Sequence, residues 1–515
     1  MRILKSPKTV PLFAFLAGAA SAFAFEPVGL WLLMPVAFAI LLWLLTKATR
    51  LRGALLIGWL FGLGQFVVGL NWIATAFTFQ AKMPPSLGWL AVALLSLYLA
   101  VFPALAAALA WRIGRDREAS LALALAGSWA ISEWLRGGIF TGFPWNPVAA
   151  AMVPTPLLSV TPLIGTYGLS ALTVLIGSVI WLEARRKWLP GVLIAFATAL
   201  LWLLPSSPVP DDPLTIKQIR IVQPNIGQQE RWRPEFADEA AARMARLSNA
   251  PGGTRPRLLF WPESAVTEPL EDSRPGPPAA FAAFERSRAA ASLGPGEYLL
   301  AGSVALKSKD GETISGAANS VFVLGPGGTE VARYDKAHLV PYGEYLPMRP
   351  ILEPLGLARL APGDVDFDSG PGPQTIDIPG WGKVGFQLCY EMIFSGHVVD
   401  ESNRPEVIFN PSNDAWFGRW GPPQHLAQAR LRAAEEGLPV IRSTPTGISA
   451  LIDAHGEVVQ QIGWRKAGII DAYLPPQSPQ PTLFARFGNA LPLLLAALLI
   501  IGAIALAGGW RYRRI

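Results

Sequence analysis

The chain has 515 residues, of which 51% are hydrophobic and only 16% are charged, which excludes the composition of an ordinary soluble protein. Its formal net charge of +6 does not indicate nucleic-acid binding, because the basic residues cluster beside apolar runs, where they anchor helices at a membrane face. A single cysteine excludes an intramolecular disulfide and leaves no Cys/His cluster for zinc, so we expect neither a metal nor a cofactor.

The apolar runs predict a multi-pass α-helical membrane bundle, because each is long enough to cross a hydrocarbon core about 30 Å thick. Residues 1–206 are expected to form a bundle of seven spans, and residues 487–515 an eighth span with a short tail. The predicted spans are 10–26, 28–46, 54–77, 86–111, 120–136, 157–182, 188–205 and 487–509.

The basic clusters predict the orientation of these spans. They precede the first span and follow the second, fourth, sixth and eighth, whereas the opposite short loops offer only Lys82 and Arg136. The positive-inside rule then places both termini in the cytoplasm and the large segment 207–486 on the other side. The sequence Ala22-Phe23-Ala24 after a basic, apolar start is also typical of a signal peptide. We expect the first span to be retained, and cleavage would leave the orientation of the others unchanged.

Two charged residues fall near the end of the fifth predicted span. Glu133 and Arg136 are three positions apart, so a structural ion pair is favoured over a functional intramembrane carboxylate. The loop 142–147 that follows has aromatic residues typical of an interfacial turn.

Residues 207–486 alternate short β-rich runs with helical ones, the pattern of an α/β domain. Two hairpin turns are predicted, at 325–328 and 453–456. The predicted strands are Gln218–Gln223, Arg257–Trp261, Tyr298–Val304, Asn319–Leu324, Glu330–Tyr334, Lys383–Leu388, Val407–Asn410, Pro439–Ser443, Ser449–Asp453 and Gly468–Ala472. The predicted helices are Pro234–Leu247, Pro278–Ser292, Ile393–Asp400 and Pro423–Glu436.

Three polar residues with complementary chemistry follow three of these strands. Glu263, Lys336 and Cys389 each stand at a strand end, where α/β proteins hold side chains at a crevice. A carboxylate can take the thiol proton, the thiolate can attack an acyl carbon, and an ammonium can stabilise the resulting oxyanion. Each residue alone is more often structural, Cys389 as a small buried hydrophobe and the others as surface charges. Together they predict a nucleophilic active site.

The segments around these residues resemble the Glu, Lys and Cys motifs of the nitrilase superfamily, also called carbon-nitrogen hydrolases. With eight spans around that domain, the whole chain is similar to the apolipoprotein N-acyltransferase family of the bacterial inner membrane. The motifs are Trp261-Pro262-Glu263-Ser264, Tyr334-Asp335-Lys336 with Pro341-Tyr342-Gly343-Glu344-Tyr345, and Cys389-Tyr390-Glu391. The resemblance implies an αββα sandwich for 207–486, located in the periplasm.

The resemblance also implies a two-step acyl transfer. Cys389 would take an acyl chain from a phospholipid, typically phosphatidylethanolamine, as a thioester, and the amino group of a diacylglyceryl apolipoprotein would then accept it. Glu263 would be the base and Lys336 would stabilise the tetrahedral states. The supporting residues implied are Trp232, Glu344, Tyr390 and Glu391, although a structural pairing of Glu344 and Glu391 with Lys336 remains an alternative.

Two apolar segments are candidates for gating the lipid substrates. Residues 345–362 are apolar but interrupted by prolines, and residues 415–420 include Trp416 and Phe417. We expect both to dip into the membrane interface, the alternative being packing inside the domain. Asn413 lies in a loop that resembles one lining the pocket of the family, although a turn-forming role is favoured.

Two other functions fit parts of the sequence. One is a membrane-tethered amidase acting on a soluble substrate, which would need no phospholipid donor. The other is a transporter whose α/β domain only binds substrate, although paired broken helices with midplane charges are scarce here.

Overall fold

The structure is a computed structural model and describes residues 9–79, 83–203, 217–231, 233–360 and 365–508. These residues form a helical bundle and an α/β domain. The bundle consists of the helices α1 (Val10–Ser21), α2 (Leu33–Leu45), α3 (Leu51–Gly69), α4 (Ile73–Ala76), α5 (Leu87–Leu99), α6 (Val101–Gly114), α7 (Glu118–Gly138), α8 (Thr161–Ala184) and α9 (Trp188–Leu203), joined by a C-terminal helix, Ala490–Gly508.

Four helical stretches in the described part of the chain are long and apolar enough to cross a membrane: Leu51–Gly69, Leu87–Gly114, Pro156–Ala184 and Ala490–Gly508. The first two predicted spans form shorter apolar helices, Val10–Ala24 and Leu33–Leu45. The fifth and seventh predicted spans correspond to α7 and α9, which do not meet the same measure of length and apolarity. A total of eight spans therefore stays a prediction.

The α/β domain contains thirteen strands in its described residues, and these form two sheets. The strands are β1 (Gln218–Gln223), β2 (Arg257–Phe260), β3 (Glu271–Asp272), β4 (Tyr298–Lys307), β5 (Gly316–Leu324), β6 (Glu330–Asp335), β7 (Thr375–Ile378), β8 (Gly382–Phe386), β9 (Val407–Pro411), β10 (Val440–Ser443), β11 (Ser449–Ile452), β12 (Val458–Ile462) and β13 (Gly468–Tyr473). The helices are α10 (Gln228–Arg231), α11 (Ala237–Ser248), α12 (Pro277–Ala289), α13 (Arg349–Leu352), α14 (Gly421–Glu436) and α15 (Leu483–Phe487), and the C-terminal helix is α16.

The order of the strands brings the ends of β2, β6 and β8 to a common crevice. The first sheet has the order β13-β1-β2-β4-β5-β6, with β3 beside β4, and the second has the order β12-β11-β10-β9-β8-β7. Strand β2 is parallel to β4, and two antiparallel steps through β5 give β6 the same direction. Strands β8, β9 and β10 are also parallel. Residues that follow these strands therefore lie at carboxyl edges, where α/β proteins bind ligands.

The two sheets pack face to face, and helices cover their outer faces. The shared core contains Phe260 and Val321 from the first sheet and Phe386 and Phe409 from the second. Helices α11 and α12 adjoin the first sheet, where Met244 and Ala289 join its outer core. Helix α14 covers the second sheet. This is the αββα arrangement implied by the resemblance.

Helix α14 is buried on two sides, because it lies between the second sheet and the bundle. Leu426, Ala429 and Ala433 pack in the core beneath the sheet. Ala427 and Leu431 belong instead to the core of the bundle. The α/β domain is thus held to the bundle by a helix that both parts share.

A second contact at this interface involves a kink in α8. Gly165 interrupts that helix with φ +65°, and the backbone N–H of Thr166 donates a 2.6 Å hydrogen bond to Oε1 of Glu435 on α14. The carboxylate takes the place of the carbonyl that the kink removes.

Most of the predicted elements are present, with differences at the edges. All ten predicted strands are found, as are both hairpin turns. Strands β3, β7 and β12 were not predicted, because they are short or lie at the edge of a sheet. The predicted helix Ile393–Asp400 is wrong: a 3₁₀ turn spans Cys389–Ile393, and Gly396 with φ +75° follows it.

Candidate active site

Lys336 follows β6 and lies between two carboxylates. Its Nζ donates a 3.0 Å hydrogen bond to Oε1 of Glu344 and lies 2.9 Å from Oε2 of that residue and 3.8 Å from Oε1 of Glu263. Burial by itself would lower the pKa of Lys336, but the carboxylates of Glu344 and Glu263 outweigh it and raise the pKa. Lys336 is therefore an ammonium ion at neutral pH, although only 1% of its side chain is exposed.

Glu263 follows β2 and keeps one carboxylate oxygen unoccupied. Its Oε1 accepts a 2.7 Å hydrogen bond from Nδ2 of Asn319, whereas no donor in the described residues reaches its Oε2. The backbone of Glu263 passes so close to Gly302 of β4 that a Cβ there would lie 2.6 Å from the Pro262 carbonyl oxygen. Glycine is therefore required at 302, because any side chain there would push the Glu263 backbone away. The unpaired Oε2 of Glu263 can receive a proton.

Asn319 on β5 joins the two carboxylates and was not singled out by the sequence analysis. Its Nδ2 donates to Oε1 of Glu263 at 2.7 Å and to Oε1 of Glu344 at 2.9 Å. Two amide hydrogens thus hold two carboxylates on either side of Lys336. The available signal was a polar Asn319-Ser320 pair within an otherwise apolar buried strand.

Cys389 follows β8 in a strained backbone conformation. Its φ is +49°, in the left-handed region that side chains other than glycine rarely adopt. Burial raises the pKa of the Cys389 thiol and Glu263 raises it further, while Lys336 and the Asn413 backbone N–H act in the opposite direction. The resting group is thus a thiol, and it needs a base before it can act as a nucleophile.

Glu391 ties the Lys336 loop to the Cys389 turn. Its carboxylate accepts hydrogen bonds from the Tyr334 hydroxyl at 2.9 Å and from the backbone N–H groups of Ala337, His338 and Leu388 at 2.7, 3.0 and 2.7 Å. Glu344, by contrast, pairs with Lys336 and accepts from the Val340 N–H at 2.8 Å. Glu344 thus fits the structural pairing considered above, whereas Glu391 binds the backbone of both loops.

Tyr390 contacts a loop of the bundle. Its hydroxyl donates a 3.0 Å hydrogen bond to the Gly142 carbonyl, and Nε2 of His338 lies 2.8 Å from the Thr141 carbonyl oxygen. Around these contacts lies a buried cluster that we call the aromatic junction: Phe66, Leu70, Trp72, Leu99, Trp145, Tyr390, Ile393 and Phe394. The crevice therefore opens beside apolar side chains supplied by both parts of the molecule.

The 415–420 segment packs on the bundle. The Phe417 ring lies 4.6 Å from that of Trp72, and the Trp416 ring lies 5.9 Å from that of Phe79, measured between centroids. The Asn413 side-chain amide lies 2.9 Å from Nη1 of Arg231 and 3.2 Å from Nε1 of Trp416. The segment therefore lies against the bundle as well as the α/β domain, and its role as an interfacial arm stays a prediction.

The structure describes most of the predicted 345–362 arm but not Trp232. Trp232 lies outside the described residues. The 345–360 part of the other candidate arm contains only α13 and a short 3₁₀ turn, as its prolines predicted. Its Met348, Ile351 and Leu355 side chains are 61, 62 and 71% exposed. In the described part of the chain, no group of three or more His, Cys, Asp or Glu residues could hold a metal ion.

Comparison with known proteins identifies two regions. Residues 17–179 match the family described as apolipoprotein N-acyltransferase N-terminal domain, and residues 218–482 match carbon-nitrogen hydrolase. An apolipoprotein N-acyltransferase of Bradyrhizobium diazoefficiens is 38% identical over 96% of this chain and 94% of its own length. One from Rhodopseudomonas palustris is 36% identical over 95% of this chain and 94% of its own length. A solved carbon-nitrogen hydrolase from Helicobacter pylori G27 is 16% identical, with a TM-score of 0.33, over 50% of this chain and 88% of its own.

Proposed function

The chain belongs to the apolipoprotein N-acyltransferase family, and from this membership we propose that it moves an acyl chain from a phospholipid to a lipoprotein through a thioester on Cys389. The acceptor is the N-terminal amino group of a diacylglyceryl-modified cysteine. The observation that carries the proposal is a buried site in which Lys336 lies 3.8 Å from Glu263, and in which Glu391 hydrogen-bonds both the residue after Lys336 and the residue before the buried Cys389.

In the first half-reaction, Glu263 takes the proton of Cys389, and the thiolate attacks the ester carbonyl of the phospholipid's sn-1 chain. Lys336 stabilises the oxyanion of the tetrahedral intermediate. The C–O bond then breaks, the glycerol oxygen takes the proton back from Glu263, and a lysophospholipid leaves. The open Oε2 of Glu263 supports this role, because it can accept a proton without breaking the hydrogen bond from Asn319.

In the second half-reaction, the lipoprotein amine attacks the thioester carbonyl. Glu263 takes the amine proton, and Lys336 again stabilises the oxyanion. The C–S bond then breaks, and the Cys389 sulfur takes the proton from Glu263, which leaves the resting thiol and an amide. Glu344 and Glu391 support these steps by holding Lys336 and the two active-site loops. Tyr390, adjacent to the nucleophile, and Trp232 complete the site in this proposal.

The bundle serves this reaction by keeping the crevice at the bilayer surface. Both substrates are lipid-anchored, and confinement to a membrane raises their effective concentration. We propose that phosphatidylethanolamine is the donor and that the exposed 345–360 segment and Trp416 and Phe417 contact the lipids. The aromatic junction supports a lipid donor, because its apolar side chains extend from the bundle to Tyr390, the residue next to the nucleophile.

The proposed topology has eight spans, both termini in the cytoplasm, and the α/β domain of residues 207–486 in the periplasm. Residues 1–206 supply seven spans and residues 487–515 the eighth. Reporters fused after Arg50 are expected to behave as cytoplasmic and those after Pro208 as periplasmic, since the basic clusters determine orientation. A cytoplasmic α/β domain would overturn the topology and the substrates together.

The decisive experiment is mass spectrometry of the Cys389 peptide after incubation with phosphatidylethanolamine. The peptide is expected to gain the mass of one acyl chain, whereas a diether analogue, which has no ester to cleave, gives no gain. A diacylglyceryl peptide with a free amino terminus should then discharge the thioester, and its N-acetylated form should not. Absence of the adduct, or equal discharge by water alone, would favour a tethered amidase.

A further inference from the structure

A buried histidine on α14 contacts the backbone of the nucleophile. His425 is fully buried, and its Nε2 lies 3.1 Å from the Cys389 carbonyl oxygen. On the other side of the ring, Nδ1 lies 3.0 Å from Oδ1 of Asp414 and 3.0 Å from Nη2 of Arg442. His425 therefore connects the Cys389 turn to a buried pair of charges.

The partners of the ring determine where its proton lies. A carbonyl oxygen can only accept, so Nε2 must carry a hydrogen whatever the charge of the ring. Nδ1 can accept from Arg442 in the neutral ring or donate to Asp414 in the charged one. Burial and Arg442 lower the pKa of His425 against the opposing effect of Asp414, which favours the neutral ring. Both forms leave an Nε2–H that donates to Cys389.

We propose that His425 is a positioning residue for acylation, because its Nε2–H holds the Cys389 carbonyl and keeps the nucleophile in its left-handed conformation. This inference rests on the proposed function. A strained residue persists only where its surroundings hold it, and His425 supplies a hydrogen bond to the strained residue itself. Glu391 holds the neighbouring Leu388 and the Lys336 loop, so it does not replace this contact.

The histidine is itself held by buried side chains from other elements. Arg442 Nη2 donates to Oδ2 of Asp414 at 2.6 Å, and its Nη1 donates to the Ser412 hydroxyl at 3.0 Å. The ring of Trp145, from the loop between α7 and α8, lies 5.3 Å from the His425 ring between centroids. A ring so enclosed can hold a backbone carbonyl in one place, which a mobile side chain could not.

The test compares His425→Gln with His425→Met in the full-length protein. Glutamine can place an amide N–H near the position of the imidazole Nε2, whereas methionine has a similar length and no donor. We expect His425→Met to slow acylation of Cys389 at saturating phospholipid by about 10- to 100-fold, the effect of misplacing a reacting group. The KM for phospholipid should change little, and His425→Gln should recover most of the rate.

Each outcome decides the question. Parent-like acylation by a folded His425→Met, or an equal loss in both variants, overturns the proposal, since the donor would then not matter. If His425→Met does not fold, His425→Gln decides alone: a rate within about threefold of the parent supports the role, and a larger loss refutes it. Failure of the proposed function is distinguishable, because the parent would then form no acyl-enzyme.

Discussion

Buried charged residues occur in both parts of the molecule, but they bind different kinds of partner. In the α/β domain, Lys336 lies against the carboxylates of Glu344 and Glu263, beside the one thiol of the chain. In the bundle, Oε1 of Glu133 accepts from the Trp129 indole at 3.1 Å and from the backbone of the following loop at 2.8 Å. Arg136 donates two 2.8 Å hydrogen bonds to carbonyls of the same loop.

The structural role predicted for Glu133 and Arg136 thus takes the form of two attachments of one loop, without a direct salt bridge between the two side chains. The difference indicates what each set of charges does. Charges that face one another and a thiol set the electrostatics of that thiol, whereas charges that bind backbone fix a loop in place. Variants in the first set should change chemistry, and variants in the second should change stability.

Cys389→Ala should have the largest effect on chemistry. It should abolish both the acyl adduct and transfer, because the described site offers no second nucleophile. The loss of one small side chain should leave the thermal unfolding temperature in detergent nearly unchanged. Transfer at the parent rate by this variant would refute the thioester mechanism. The charges around Cys389 could then no longer be said to act on a reacting thiol.

Glu263→Gln should come next. The amide keeps the shape of the side chain but cannot take a proton, so the rate of acylation should fall by about 10²- to 10⁴-fold. Glu285→Gln is the matched control, because Glu285 is also a buried carboxylate but lies on α12 away from the crevice. Equal losses in the two variants would mean that Glu263 matters for folding rather than as a base.

Lys336→Met should slow acylation by about 10²- to 10³-fold, as removal of one oxyanion donor does elsewhere. Because Lys336 lowers the pKa of Cys389, its removal should raise that pKa further. The pH curve for alkylation by iodoacetamide should then move to higher pH, since the thiolate is the reactive form. A curve that coincides with the parent's would show that the ammonium does not act on the thiol.

Arg136→Met should have the smallest effect on chemistry and a clear effect on stability. It removes two charge-assisted hydrogen bonds, each worth about 1.5–3 kcal/mol, so the unfolding temperature should drop. Glu133→Gln keeps an acceptor for Trp129 and should be milder. The alkylation curve should stay in place for both, and a shift as large as that of Lys336→Met would break the distinction between the two sets of charges.

The sequence alone was sufficient to predict features that depend on residues adjacent in the chain, such as the ends of strands. Apolar runs ending at Glu263, Lys336 and Cys389 located three strand ends, and the structure brings those residues into one crevice. Their catalytic roles stay predictions. The predicted end of the helix Pro423–Glu436 was also correct, since α14 ends at Glu436.

Features that depend on distant partners were missed. Asn319 bonds to Glu263, 56 residues away, and His425 to Cys389, 36 residues away, so the local sequence could not show what either residue contacts. In the bundle, hydropathy located helices but not their limits. The predicted span 28–46 begins as a helix only at Leu33, after a turn at Gly29 with φ +68°.

The shared position of α14 has a consequence for how the molecule could be divided. The α/β domain is not a portable module, because cutting it from the bundle would leave Leu431 and Ala434 facing water and Glu435 without the Thr166 N–H. A substitution in α14 has to be compatible with both the second sheet and the bundle. Exchange of catalytic domains between homologues should therefore succeed only when α8 and the loop before it are exchanged as well.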